Sequence, residues 1–228
     1  DRNRMAIMGD VFSAASFGID TMLALTGDHP VVGDCPDSKP VYDLDSVGIL
    51  RMLTKMEETN CDCGGNEIAG GAPKFYKGAS VTPVYAPIVL QINKLRQKVE
   101  AGAMYIQTQG VFDLDTFKRF MEKVDAAGIK THIMAGIIPL KAAGMARYMN
   151  ENVPGIAVPQ DMIDKLAAAA AEGKEKGIKG LPMQLGIEMA AEMIAKIKDE
   201  HLCDGVHIMA IGAEKNVPAI LEKAGVTI

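Results

Sequence analysis

The chain has 228 residues, 48% hydrophobic and 23% charged, with a formal net charge of −5 at pH 7; that length suits one large domain with a substantial core or two small ones, and one domain is expected. Both charge signs mix along it, as in Glu172-Gly173-Lys174-Glu175-Lys176, and without a concentrated basic face no nucleic-acid partner is expected. No run of about 18 apolar residues occurs and no signal-peptide pattern opens the chain, so no membrane association is expected either.

Asp1-Arg2-Asn3-Arg4 leads straight into an apolar-periodic segment, and a chain that opens at the lip of a helix is expected to be a fragment lacking the strand before it. Residues 4–17 read as a helix closed by Gly18, where glycine adopts a left-handed C-cap at little cost. Residues 21–25 read as the first strand. A helix over 45–58 buries one face through Ile49, Leu53 and Met56, with Asp43 and Asp45 at its start, where carboxylates complement the helix dipole. Residues 60–72, rich in Gly, Cys and Asn, lack periodicity and read as a loop. Residues 75–81 form the second expected strand, and Gly78 inside it marks a place where a ligand or another backbone comes close.

Residues 88–100 are helical and end at Ala101-Gly102, before a third strand at 103–109 that closes on the polar pair Thr108-Gln109. Asp113 and Asp115 introduce a helix whose apolar stripe is Phe117, Phe120, Met121 and Val124, stopped by Gly128. A fourth strand at 131–138, stopped by Pro139, precedes helices over 140–150 and 159–172. The longest amphipathic stretch, 181–200, places Leu185, Met189, Met193 and Ile197 four apart, and its methionines suit adaptable core packing. A fifth strand at 205–211 and a helix at 214–224 close the chain. Alternating strand and helix is the pattern of βα units around a parallel sheet. Five strands cannot close an eight-stranded barrel, so the remainder is expected before Asp1.

Cys35, Cys61, Cys63 and Cys203 are too few and too irregular for a disulfide framework, and a reducing cytoplasm is the expected location. Cys61-Asp62-Cys63 lacks a second ligand pair at zinc-site spacing, so no metal is expected. His29 neighbours an acid and is a candidate pocket residue. His132, His201 and His207 read as occupants of strand faces or helix ends.

The most informative stretch is Leu25-Thr26-Gly27-Asp28-His29-Pro30, which delivers a carboxylate where an apolar strand breaks into a loop. Parallel α/β barrels build active sites at that end of their strands, which makes Asp28 the first functional candidate. The plainer alternative is an Asx-turn residue ahead of Pro30.

That stretch is followed in order by Lys39-Pro-Val-Tyr-Asp-Leu-Asp45, Lys98-Val-Glu-Ala-Gly-Ala103, Gln107-Thr-Gln109, Val111-Phe-Asp113, Ala135-Gly-Ile-Ile-Pro139, Ala143-Gly-Met-Ala-Arg-Tyr-Met-Asn-Glu-Asn-Val-Pro154 and Gly205-Val-His-Ile-Met-Ala-Ile-Gly212. In this order and spacing the set resembles the methylenetetrahydrofolate reductase family. The resemblance implies a (β/α)8 TIM barrel that binds FAD, with strands four to eight in this chain and strands one to three before residue 1. It implies hydride transfer from reduced flavin to 5,10-methylenetetrahydrofolate, giving 5-methyltetrahydrofolate in one-carbon metabolism. The electrons would come from NAD(P)H or a reduced partner.

By the same resemblance Asp28 lies near the flavin and the pterin in a catalytic role, and Gln109 binds the pterin, where a carboxamide offers a donor and an acceptor together. Lys98 sits near the FAD diphosphate, while Asp43 and Leu44 hold the adenosine half through backbone groups. Thr26, Gly27, Gly78 and Thr82 complete the cofactor-binding set. Thr26, Gly78 and Thr82 depart from the family pattern, standing where arginine, an aromatic residue and histidine are common. The family's proton-donating glutamate ends the first strand and has no counterpart here, so a fragment of this extent is not expected to reduce folate alone. Two alternatives stay open: a pterin-binding barrel that transfers methyl groups, and an electron-transfer or binding subunit of a larger reductase complex; the expected partners are the folate substrate and either a partner subunit or a second copy in a homo-oligomer.

Overall fold

The structure is a computed structural model and describes residues 2–226. Its element order is α1 (Arg4–Ser16), β1 (Thr21–Ala24), α2 (Ser46–Thr59), β2 (Tyr76–Val81), α3 (Ile88–Glu100), β3 (Tyr105–Gly110), α4 (Leu114–Ala126), β4 (His132–Ile137), α5 (Ala143–Asn152), α6 (Gln160–Lys176), α7 (Leu181–Asp199), β5 (Gly205–Ile208) and α8 (Val217–Lys223). The strands take the order β1-β2-β3-β4-β5 in an α/β fold, and β1 against β2 and β4 against β5 are parallel. The chain divides into two compact units, Asp1–Ser80 with Asn93–Ile106, and Val81–Ile92 with Gln107–Ile228.

In the first unit, α1 starts where Asn3 accepts a hydrogen bond from the Ala6 amide at 2.9 Å, satisfying one of the donors a helix start leaves unpaired. α2 is opened by Asp45, whose carboxylate takes the Gly48 amide at 2.7 Å, and closed by Asn60 in the left-handed region. Val11 of α1 packs with Met52, Leu53 and Met56 of α2 and with Phe75, while Met22 of β1, Leu44 and Ile49 border this cluster. The seam of α2 is wider than the expected stripe, since Val47 and Leu50 are buried and Ile49 only half so.

The second unit is built on Phe112, Ile138, Leu140, Ala146, Met149, Val158, Ile163 and Leu166. Asp113 caps α4 through the Asp115 amide, and Phe117, Phe120 and Val124 form its buried face, with Met121 half-buried. α5 begins at Ala143 rather than residue 140, because Pro139 halts the strand and Leu140 is 2% exposed in the core. α6 runs to Lys176, beyond the expected end, until Gly177 in the left-handed region caps it. The last helix starts at Val217 after a 3-10 turn over Glu214–Asn216.

Candidate functional site

In the first unit, β1 ends at Ala24 and the chain turns at Gly27, whose φ is 81°, a conformation glycine adopts without a steric penalty. The hydroxyl oxygen of Thr26 accepts a hydrogen bond from the Ser46 amide at 3.1 Å, tying this loop to the first residue of α2. Thr26 therefore serves the backbone. Asp28 is exposed, and its carboxylate has no hydrogen bond or ion pair among the described residues. Its neighbour His29 turns inward on its own loop, accepting the Val31 amide at 3.1 Å.

Asp43 is clamped by Arg4. Its two carboxylate oxygens accept from Nη2 at 2.8 Å and Nε at 2.9 Å, and the Arg4 amide adds a third bond at 2.8 Å. These hydrogen bonds hold the carboxyl well below its ordinary range, at about 2. Leu44 is half-buried against the α1–α2 apolar cluster. Lys98 is half-buried at the end of α3, donating one hydrogen bond to the Ser80 carbonyl at 2.6 Å. Burial and the nearby Lys94 push its pKa down, opposed by Asp45 at the start of α2. Thr26, Asp45 and Lys98 are thus brought around the amino end of α2.

Gly78 occupies the middle of β2, and its open space is filled. A β-carbon there would stand 2.1 Å from the ring of Tyr105, which stacks on Tyr76 at 5.2 Å and 10°. The neighbour that requires glycine is an aromatic side chain from β3, where the sequence suggested a ligand or a backbone.

In the second unit, Gln109 lies at the carboxyl end of β3. Its side-chain oxygen accepts the Gly110 amide at 3.1 Å, and its nitrogen approaches the Pro154 carbonyl at 3.5 Å. Thr82 lies beside the same turn, its methyl carbon 2.5 Å from where a β-carbon on Gly155 would stand. The turn at 154–155 thus gathers both candidates.

Next to Gln109 is a polar network that strand alternation alone did not single out as functional. The Thr108 hydroxyl donates to the Gln109 carbonyl at 2.8 Å and accepts the Gly136 amide at 2.9 Å. His207 sits opposite Gly136 in the β4–β5 register, and its Nε2 lies 2.9 Å from the Thr108 carbonyl. A β-carbon on Gly136 would come within 2.5 Å of that carbonyl oxygen and 3.0 Å of Nε2, so the glycine makes room for the imidazole. The legible signal was a glycine inside an apolar strand together with a histidine near the end of the next one. Among the described residues, no group of three or more His, Cys, Asp or Glu side chains is placed to hold a metal ion, and no helix is long and apolar enough to cross a membrane.

A family model described as methylenetetrahydrofolate reductase matches residues 1–225. The chain belongs to the methylenetetrahydrofolate reductase family. It is 24% identical over 223 residues to a probable methylenetetrahydrofolate reductase (NADPH) of Caenorhabditis elegans, an alignment covering 98% of this chain and 31% of that protein. It is 29% identical over 218 residues to methylenetetrahydrofolate reductase (NADH) 1 of Arabidopsis thaliana, covering 92% and 34%. Against methylenetetrahydrofolate reductase 2 of Schizosaccharomyces pombe the identity is 27% over 219 residues, covering 93% and 32%. The chain therefore spans about a third of the length of these reductases. An uncharacterized protein from Clostridium thermocellum, described as binding two copies of 5-methyl-5,6,7,8-tetrahydrofolic acid, shares the fold at a TM-score of 0.53. Its sequence identity is 13%, with 79% of this chain and 58% of that one covered.

Proposed function

We propose that this reductase-family chain takes part in the flavin-dependent reduction of 5,10-methylenetetrahydrofolate to 5-methyltetrahydrofolate, a reaction of one-carbon metabolism and methionine biosynthesis in the cytoplasm. The family match over residues 1–225 carries the reading. We further propose that the five strands are strands four to eight of a (β/α)8 barrel in one domain. Their sheet order follows the chain order, which suits a barrel wall, whereas a doubly wound sheet reverses at a switch point.

FAD fits the residues at the amino end of α2. Lys98 has spent one of three N–H donors on Ser80, leaving a half-buried cation for a diphosphate. Asp43 nearby would repel that anion, but its carboxylate is neutralised by Arg4. The backbone at Asp43 and Leu44 suits the adenosine half, and the loop Thr26-Gly27-Asp28 places a carboxylate beyond the end of β1. Gly78 completes the proposed contacts of this unit through the ring it admits, and Thr82 is the cofactor-binding candidate of the second unit. When bound, flavin supplies the hydride, and the protein supplies orientation and electrostatics. Asp28 is the catalytic and pterin-binding candidate of the first unit, where its carboxylate would accept from ring N–H groups, and Gln109 is the pterin-binding candidate of the second. The names of relatives include both NADPH and NADH forms, so the donor is a reduced nicotinamide or a reduced partner protein.

The fold neighbour described as binding 5-methyl-5,6,7,8-tetrahydrofolic acid supports a second reading, methyl transfer from a bound pterin. The full-length protein's absorption spectrum separates the two. Flavin bands that bleach on adding NADH or NADPH and recover on adding 5,10-methylenetetrahydrofolate are expected. A colourless protein that transfers methyl groups would overturn the reductase reading.

A further inference from the structure

Gln109 is only partly free to read a ligand, because the Gly110 amide already occupies one lone pair of its side-chain oxygen. A pterin edge presents N–H donors as well as acceptors, so a second acceptor is needed beside it. His207 fits that need on geometry. The Thr108 carbonyl can only accept, so the 2.9 Å contact requires Nε2 to carry the proton. In the neutral ring Nδ1 is then an acceptor, and it has no partner among the described residues. The ring is half-buried, and burial pushes its pKa below the ordinary histidine value, against the opposing bond to Thr108. Thr108, Gln109, Gly136 and His207 all lie toward the carboxyl ends of their strands, the end at which βα barrels bind ligands.

We propose that His207 is a specificity-determining residue for the pterin, its tautomer fixed by the Thr108 carbonyl so that Nδ1 accepts an N–H of the ring beside Gln109. This rests on the folate reading above. Gly136 makes the arrangement possible, since a side chain there would displace the imidazole from its anchor.

The test is titration of the full-length protein with 5-methyltetrahydrofolate by calorimetry, alongside 15N NMR of its histidines. His207→Gln keeps an N–H for Thr108 but removes the Nδ1 acceptor, and is expected to weaken binding by about tenfold at an unchanged melting temperature. His207→Asn places an amide oxygen near the Nδ1 position and is expected to recover part of the affinity. In the wild type, the Nδ1 resonance of an unprotonated nitrogen is expected to shift toward hydrogen-bonded values on ligand addition, a response that a merely structural histidine would not give. Wild-type affinity in His207→Gln, or an unmoved Nδ1 resonance while the ligand binds, overturns the inference alone. A wild-type protein that binds no 5-methyltetrahydrofolate overturns the folate reading and this inference with it.

Discussion

Lys77 points from β2 toward α2, where it is 5% exposed and its ammonium lies 2.5 Å from Glu57 Oε2, while Glu57 Oε1 accepts the Phe75 amide. The residue was illegible as an ion-pair member in the sequence, because strand alternation assigns a face and gives no partner on a helix twenty residues earlier. Removing one member of a buried pair leaves a charge without compensation, so Glu57→Ala is expected to cost about 3 kcal/mol in urea unfolding. Replacing both, Lys77→Met with Glu57→Leu, is expected to recover the part of that loss due to the unpaired ammonium, while the Phe75 amide stays without its acceptor. Asp28 is the opposite case: its place after the first strand was legible, and the structure leaves it exposed, its carboxylate without a hydrogen bond or ion pair among the described residues. On the function proposed above, Asp28→Asn in the full-length protein is therefore expected to leave the fold and any bound flavin intact while slowing folate turnover by about tenfold to a hundredfold. Unchanged kinetics in a stopped-flow assay would remove Asp28 from the mechanism.

At the level of elements, periodicity located the eight α-helices and five strands of the described residues but not the 3-10 turn at Pro30–Val32, because buried faces repeat at 3.6 or 2 residues whatever the tertiary context. Their ends were less legible where long-range packing sets them. Leu140 continues no helix, since its carbonyl is the surface on which α7 rests: a β-carbon on Gly186 would stand 1.7 Å from that oxygen. Spacing marked Leu185 and Met189 as the apolar line of α7, yet both are half-buried, and the buried seam runs through Gly186, Ala190, Met193, Ile194 and Ile197. Small residues occupy that seam because the backbone below comes close. Gly186→Ala therefore forces α7 away from Leu140, and a loss of about 1–3 kcal/mol is expected despite alanine's better helix propensity. Ala190→Gly at the same seam tests the alternative that propensity dominates; the two substitutions would then change the urea midpoint in opposite directions.

For the whole molecule, βα alternation made the fold class legible, while site partners assembled by side chains from separate strands were not. Gly136 and His207 are 71 positions apart in sequence yet directly opposite in the sheet, a pairing that local pattern does not encode. Net charge, by contrast, is a property of the entire chain and reads directly from its composition. The formal charge of −5 at pH 7 and a pI near 5.4 mean that self-repulsion between molecules vanishes near pH 5.4. The Arg4–Asp43 clamp stays ionised there, because the folded carboxyl has a pKa of about 2. A group whose pKa is depressed on folding contributes stability above its unfolded value of 3.8, and loses it as pH falls from there through about 2. Precipitation and acid unfolding should therefore separate on the pH axis. Light scattering is expected to peak near pH 5.4 with the circular dichroism of the redissolved protein unchanged. The contribution of the clamp is expected to fade only below about pH 4, and a coincidence of aggregation with loss of ellipticity near pH 5.4 would show that unfolding, and not lost repulsion, drives the association.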